Sequence, residues 1–273
     1  MNPRIKTVLL WVLATILMLS MAVYQRLTGP THPARAKVDF GDAAHKVSLL
    51  RSHSTSSDAK VKLKLKDTAI HGQYSFKRLG INDSITSKPL YRNGDTLIAT
   101  LPAQPPAGKL QYTIQLTKNG KQVEVTNKPI VIRFKGDVPG YILIPHIFFM
   151  FFAMLFSLRT GIEAFLKRDG VKLMATYTLT FLLVGGLILG PFVQKFAFGA
   201  YWTGWPFGHD LTDNKTLVAF IFWFIAVYRL WKNKEAKYWV IAAAIIMLAV
   251  YLIPHSMFGS QFDYASGQVT TGR

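Results

Sequence analysis

Hydrophobic residues are concentrated in several long runs, and a long polar segment of mostly alternating pattern separates the first run from the others. A helix needs roughly 20 apolar residues to cross a bilayer, so the runs predict about five transmembrane helices. The first run follows Arg4 and Lys6 and lacks a small-residue cleavage site, which favours an uncleaved anchor over a signal peptide. The predicted spans are residues 7–24, 141–158 or 141–166, 173–193, 216–231 and 238–258.

The polar segment has the pattern of short β-strands. Lys60–Lys66 alternates lysine with valine or leucine, which is the period of a half-buried strand. Leu110–Leu116 alternates as well, and the Asn119-Gly120 pair that follows predicts a hairpin turn. Further strands are predicted at residues 47–50, 96–101, 123–125 and 130–134. Roughly seven to nine strands with no competing helical period predict an all-β, immunoglobulin-like sandwich.

The predicted fold class is therefore a membrane α-helical bundle joined to an immunoglobulin-like β-sandwich. The chain divides into four parts, with boundaries set by the changes of pattern. These are an N-terminal anchor helix (1–30), a β-sandwich domain (31–137), a four-helix transmembrane region (138–258) and a tail (259–273).

Lysine and arginine are distributed unevenly among the short loops. With the N-terminus inside, ten of them lie on the inner side and three in the outer loop and tail, which is the bias expected of cytoplasmic loops. The inner ten are Arg4, Lys6, Arg159, Lys167, Arg168, Lys172, Arg229, Lys232, Lys234 and Lys237, and the outer three are Lys195, Lys215 and Arg273. This predicts a bacterial cytoplasmic-membrane protein whose β-domain and C-terminus are extracytoplasmic.

The remaining composition limits the kinds of site and partner that the chain can have. The chain has no cysteine, which excludes disulfides, zinc–thiolate sites and iron–sulfur ligation. Residues 31–137 hold 18 Lys and Arg against 8 Asp and Glu, and this excess fits a solvated lysine face or attraction to anionic lipid or an acidic protein. The expected partners are the lipid bilayer and other membrane or extracytoplasmic proteins, and no nucleic acid is expected. No Walker A, G-x-S-x-G or H-E-x-x-H motif indicates an enzyme class.

A repeated tetrapeptide supplies the candidate site. Leu-Ile-Pro-His occurs at 143–146 and again at 252–255, and the opposite directions of these two spans place His146 and His255 at the same, outer face. The loop before the fourth span brings His209 and Asp210 to that face. Imidazole and carboxylate groups suit copper, zinc or iron, and two histidines could ligate haem. The predicted metal ligands are His146, His209, His255 and Asp210.

Other interpretations of these residues stay open. The histidines could be structural, or they could bind an organic ligand such as a quinone, and Asp213 is well placed as the N-cap of the fourth span. At the inner face, Arg159 and Glu163 are spaced to form an ion pair on one helix. The leading hypothesis is a metal- or haem-binding membrane protein with a respiratory or redox-assembly role. The alternative is a non-enzymatic scaffold or assembly subunit whose sandwich binds a partner protein.

Three segments carry a resemblance to other proteins: LIPH at 143–146, GPFVQKFAFGAYWTGWPFGHDLTDNKT at 190–216, and LIPHSMFGSQFDY at 252–264. The chain resembles an uncharacterised group of bacterial multi-pass inner-membrane proteins with an anchored extracytoplasmic β-domain. The resemblance covers most of the chain and implies this same topology, but it brings no catalytic residues and no cofactor.

Overall fold

Helices occupy the N-terminal residues 3–28 and most of residues 140–252. A computed structural model describes residues 2–41, 43–232, 235–254, 257 and 259–271. The helices in these ranges are α1 (Pro3–Thr28), α2 (Gly140–Phe165), α3 (Val171–Leu182), a π-helix (Leu183–Leu189), α4 (Gly190–Phe198), α5 (Leu211–Trp231) and α6 (Lys237–Leu252). Helix α1 begins at Pro3 after Asn2, whose side chain accepts a hydrogen bond from the Arg4 N–H at 2.9 Å, an arrangement typical of a helix start.

Four helical segments of the described chain are long and apolar enough to cross a membrane. They are Pro3–Thr28, Gly140–Phe165, Val171–Phe198 and Leu211–Trp231. Helix α6 is apolar but has only 16 residues. All five lie where the hydrophobic runs predicted helices, so the locations of the helices are confirmed. The fifth ends at Leu252 rather than at residue 258, which leaves it shorter than the four candidate spans. The third segment extends beyond the predicted residues 173–193 because the π-helix continues directly into α4.

The π-helix allows very close helix contacts. A Cβ atom on Gly185 would lie 2.8 Å from the Phe149 Cβ of α2, and one on Gly186 would lie 2.6 Å from the Thr216 Cγ2 of α5. Both distances are shorter than van der Waals contact, so only glycine fits at these two positions. Short π-helical segments are frequent at functional sites because they displace backbone carbonyls from the regular helical pattern.

The segment between α1 and α2 folds into β-strands, eleven of them in the described residues. They are β1 (Ala34–Asp39), β2 (Ala44–Leu49), β3 (Ser52–Ser54), β4 (Ala59–Lys64), β5 (His71–Arg78), β6 (Thr86–Pro89), β7 (Tyr91–Asn93), β8 (Thr96–Leu101), β9 (Lys109–Lys118), β10 (Lys121–Glu124) and β11 (Ile130–Lys135). The expected seven to nine strands were too few, because β3, β6 and β7 have only three or four residues and show no alternation.

The strands form a larger sheet in the order β3-β11-β9-β5-β6, with β10 beside β9, a smaller sheet β4-β8-β7, and a β1–β2 pair. All neighbours are antiparallel except β3 and β11. The alternation read from the sequence is confirmed in β4, whose valine and leucine side chains are buried while its lysines are exposed. The predicted hairpin is also present, with Asn119 and Gly120 at φ of 49° and 79° between β9 and β10.

The C-terminal residues form another hairpin, β12 (Ser260–Asp263) and β13 (Gln268–Thr271). This hairpin contacts the β-domain: the Phe262 N–H donates to the Ala107 carbonyl at 3.1 Å, and the Tyr264 hydroxyl donates to Gln104 Oε1 at 2.9 Å. Residues 260–271 of the predicted tail thus form a defined structural element. It lies at the β-domain end of the bundle, the end where α1 finishes and α2 begins.

Candidate binding site

A cavity of about 470 Å³ lies inside the helical bundle and reaches its β-domain end. Its inner part is apolar and is lined by α1 and α2, chiefly by Met18, Ala22, Leu143, Met150 and Met154. Ile147, just after the polar His146, and Met154 are seven residues apart on α2, which corresponds to an apolar arm of about 10 Å along the helix axis. The cavity opens between α1 and α2, since Arg26 and Ile147 line it and are also exposed on the bundle surface.

The other end of the cavity is polar. Its lining includes Gln25, Arg133, His146, Gln194, Asp210 and Asp213. These side chains come from α1, the β-domain, α2, α4 and the start of α5, so the polar end exists only in the assembled protein.

Two buried aspartates organise this end. Asp210 is the N-cap of α5, where its Oδ1 accepts the Thr212 N–H at 2.8 Å. Asp213 lies in the first turn of α5, and its Oδ2 accepts the backbone N–H groups of Thr203 and Gly204 at 2.7 and 3.0 Å. The prediction that Asp213 caps this helix was wrong, because α5 begins at Leu211 and Asp213 instead holds the preceding loop.

The backbone at Ser260 lies between a carboxylate and a guanidinium. Asp210 Oδ2 accepts the Ser260 N–H at 2.9 Å and the Ser260 hydroxyl at 3.0 Å. On its other side, Arg133 Nη2 donates to the Ser260 carbonyl oxygen. A Cβ on Gly259 would come within 3.4 Å of both Arg133 and Asp210, so only a glycine passes between the two charged groups without displacing them.

Arg133 is the most unusual group of the site. It is 7% exposed, its guanidinium stacks on the Phe198 ring at 3.9 Å, and its Nε has no hydrogen-bond partner in the described residues. Burial lowers the pKa of Arg133 to about 10, although Asp210 raises it. Burial, with the positive charge of Arg133, also lowers the pKa of the neighbouring Lys109 to about 8. The positive charges of Arg133 and Lys109 are therefore energetically unfavourable in this buried environment.

His146 faces the same cavity from α2. Its Nδ1 lies 2.9 Å from the Gly185 carbonyl of the π-helix. A carbonyl oxygen can only accept, so Nδ1 carries the proton. In the neutral ring this leaves Nε2 as an acceptor. The π-helix thus fixes the orientation of His146.

The structure brings together only some of the residues predicted as metal ligands. His146 and Asp210 both line the cavity, whereas His209 is exposed and is not part of the lining. His255 lies outside the described residues. Within the ranges that the structure describes, no group of three or more His, Cys, Asp or Glu side chains could hold a metal ion. The three-histidine site accordingly stays a prediction.

Sequence reasoning missed Arg133, Gln194 and Ser260. Arg133 gave no usable signal, because the alternation of Ile130, Ile132 and Phe134 in β11 assigns it to the solvent side of the strand. It is buried only because α4 and the C-terminal hairpin cover that side, as the contacts with Phe198 and Ser260 show.

Comparison of the chain with known protein families, with curated proteins and with solved structures gives no match. The arguments about function below therefore depend on the geometry of the cavity and its charges.

Proposed function

We propose that this protein binds an amphipathic molecule of the membrane, with the apolar chain between α1 and α2 and the head group at the polar end of the cavity. One observation carries the proposal: a single cavity joins an apolar arm to a cluster of buried polar side chains. Ligand sites are typically concave and mostly apolar, with a few polar groups that fix orientation. The gap between α1 and α2 gives such a molecule a path from the bilayer.

A pair of variants on adjacent positions of α1 tests this proposal. Ala22 lines the apolar arm, whereas Val23 is 56% exposed and points away from it. Ala22→Phe should fill part of the arm and reduce the affinity for the amphiphile about 5- to 150-fold, since overpacking a filled cavity costs about 1–3 kcal/mol. The measurement is extraction and mass spectrometry of molecules that copurify in a mild non-ionic detergent.

Val23→Phe is the matched control and should retain the wild-type amount of ligand. Equal loss in both variants, or no amphiphile in the wild-type protein, would contradict the proposal. Metal content and visible absorbance of the same wild-type sample test the three-histidine hypothesis, because one metal or haem per chain would favour it over an organic ligand.

We further propose that the protein lies in a bacterial cytoplasmic membrane with its β-domain outside. The bias of Lys and Arg among the short loops supports this orientation, as does the resemblance noted for the sequence. A reporter protein inserted after Gly170, between α2 and α3, should be cytoplasmic, and one inserted after Gly94, in the β7–β8 turn, should be extracytoplasmic. The reverse pattern of reporter activity would refute the orientation.

We also propose that the β-domain is an immunoglobulin-like sandwich. Support comes from one hydrophobic core shared by the two larger sheets, with Val61 and Leu63 of β4 in the same cluster as Ile114 of β9 and Ile132 of β11. Two mostly antiparallel sheets around one core are the architecture of that class.

A further inference from the structure

We infer that the head group of the bound amphiphile is an oxyanion, a phosphate or a carboxylate, and that Arg133 is the residue that recognises it. This inference rests on the proposed function and specifies the chemical class of the ligand. It follows from which hydrogen-bonding groups of the polar end are already occupied and which are not.

The acceptor positions of the Asp210 carboxylate are occupied. Asp210 accepts from Thr212 on one oxygen and from Ser260 on the other, and the Thr203 hydroxyl lies 3.2 Å from that second oxygen. A carboxylate has about four lone-pair positions, and four donors surround Asp210. Asp213 likewise receives two backbone N–H groups. A ligand that presents only donors would find no free acceptor position on Asp210.

The donors of Arg133 are not occupied in the same way. In the described residues Nη2 donates a hydrogen bond to Ser260, while the buried Nε has no hydrogen-bond partner. A guanidinium has five N–H donors and no acceptor, so the free groups can be matched only by an acceptor. Asp210 raises the pKa of Arg133 but, in the described part of the chain, accepts its hydrogen bonds from Ser260 and Thr212 rather than from the guanidinium. Oxyanions are the partners that guanidinium binds most strongly.

The local balance of charge also favours an anionic head group. Asp210 interacts electrostatically with three cations, Lys109, Arg133 and Lys215. Lys215 is 6% exposed and donates to the Ile253 carbonyl at 2.7 Å rather than to a carboxylate. Arg26 adds a fourth cation at the mouth of the cavity. Arg26 and Arg133 thus line the cavity, while Lys109 and Lys215 interact with Asp210 from outside the lining. An anionic head group would reduce this local excess of positive charge over the two carboxylates of Asp210 and Asp213.

Ligands that share one alkyl chain and differ only in the head group test the inference on the wild-type protein. The probes are dodecyl phosphate, dodecanoate and dodecanol, titrated calorimetrically into the full chain in a non-ionic detergent, with inorganic phosphate as a fourth probe. The two anionic amphiphiles should bind about ten- to a hundredfold more tightly than dodecanol, the range expected for a hydrogen bond to a charged group. The tighter of the two anions identifies phosphate or carboxylate as the natural head group.

Equal affinity for dodecanol and the anions would overturn the inference and leave the proposed function standing. Failure of all three amphiphiles to bind would overturn both. Inorganic phosphate that competes as strongly as dodecyl phosphate would contradict the amphipathic ligand and retain only an anion site.

A variant pair assigns the recognition to Arg133. Arg133→Gln should lower the affinity for the anionic probes to that for dodecanol while leaving dodecanol binding unchanged, a split that general unfolding would not produce. Arg35→Gln, at an exposed position of β1, should change neither affinity. If Arg133→Gln does not fold, Arg133→Lys retains the charge and should keep the preference for anions over dodecanol. Loss of that preference in Arg35→Gln, or its survival in folded Arg133→Gln, would contradict the role of Arg133.

Discussion

Replacing Glu163 by glutamine is expected to lower the free energy of unfolding by about 3–5 kcal/mol. Glu163 pairs with Arg159 one helical turn away, and a second arginine, Arg168, lies 3.2 Å from its other oxygen. Arg159 is 1% exposed and Glu163 is 3% exposed. Glutamine keeps the shape but removes the only carboxylate that pairs with these arginines in the described residues, so Arg159 would be left as a buried, unbalanced cation.

The two arginines next to Glu163 also contact α1. Trp11 of α1 lies 5.3 Å from the Arg159 guanidinium, and Thr7 accepts a hydrogen bond from Arg168 at 2.9 Å. Unfolding of the purified protein by sodium dodecyl sulfate in mixed micelles measures the change. Glu124→Gln, on the exposed part of β10, is the control and should change stability by less than about 0.5 kcal/mol.

The double variant Arg159→Met with Glu163→Met separates charge from shape. Replacing a buried pair with apolar side chains of similar volume is often nearly neutral, so the double variant should be more stable than Glu163→Gln alone. A small effect of Glu163→Gln, or a double variant less stable than Glu163→Gln, would show that Glu163 is not needed as the counter-charge of Arg159.

Asp210→Asn should have the second large effect, about 3–5 kcal/mol, because Asp210 is 4% exposed and faces Lys109, Arg133 and Lys215. Asparagine keeps one acceptor oxygen but places an amide donor where the Ser260 N–H and hydroxyl now donate. The C-terminal hairpin should therefore detach before the bundle unfolds.

Hydrogen exchange of residues 260–271 measures that detachment directly, and detergent unfolding measures the global loss. Asp95→Asn, at an exposed position before β8, is the matched control and should leave both unchanged. Protection of the hairpin in Asp210→Asn equal to that of the wild type would refute the role of Asp210 in holding it.

Local patterns predicted the elements of this fold well. The hydrophobic runs located all five apolar helices, and alternation located β4 and β9. The Asn119-Gly120 pair located the turn between β9 and β10. The Arg159–Glu163 pair was also predicted correctly, since both partners lie on one helix and their spacing alone brings them together. In each case, the information is contained in residues close together in the sequence.

The candidate site could not be predicted in the same way. Arg133, Asp210 and Ser260 are far apart in the chain, and each looks ordinary in its own segment. The histidine pattern selected His146 and Asp210 as metal ligands, and that role stays a prediction. Both residues line the cavity, but the pattern gave no indication of the cavity or of the buried guanidinium. The cap of α5 was misassigned because two aspartates, at 210 and 213, both fit the local pattern of a helix start.

The position of Ser260 has a consequence for biosynthesis. Arg133 leaves the ribosome before the helices α2 to α6 are made, and the strand that bonds to both Arg133 and Asp210 is translated only after α6. Domains generally fold in the order of their synthesis. A nascent chain can therefore insert its helices and fold its β-domain while the junction between them is still open. A chain that terminates before Ser260 would have its helices in place but would lack the strand that covers Arg133 and Asp210.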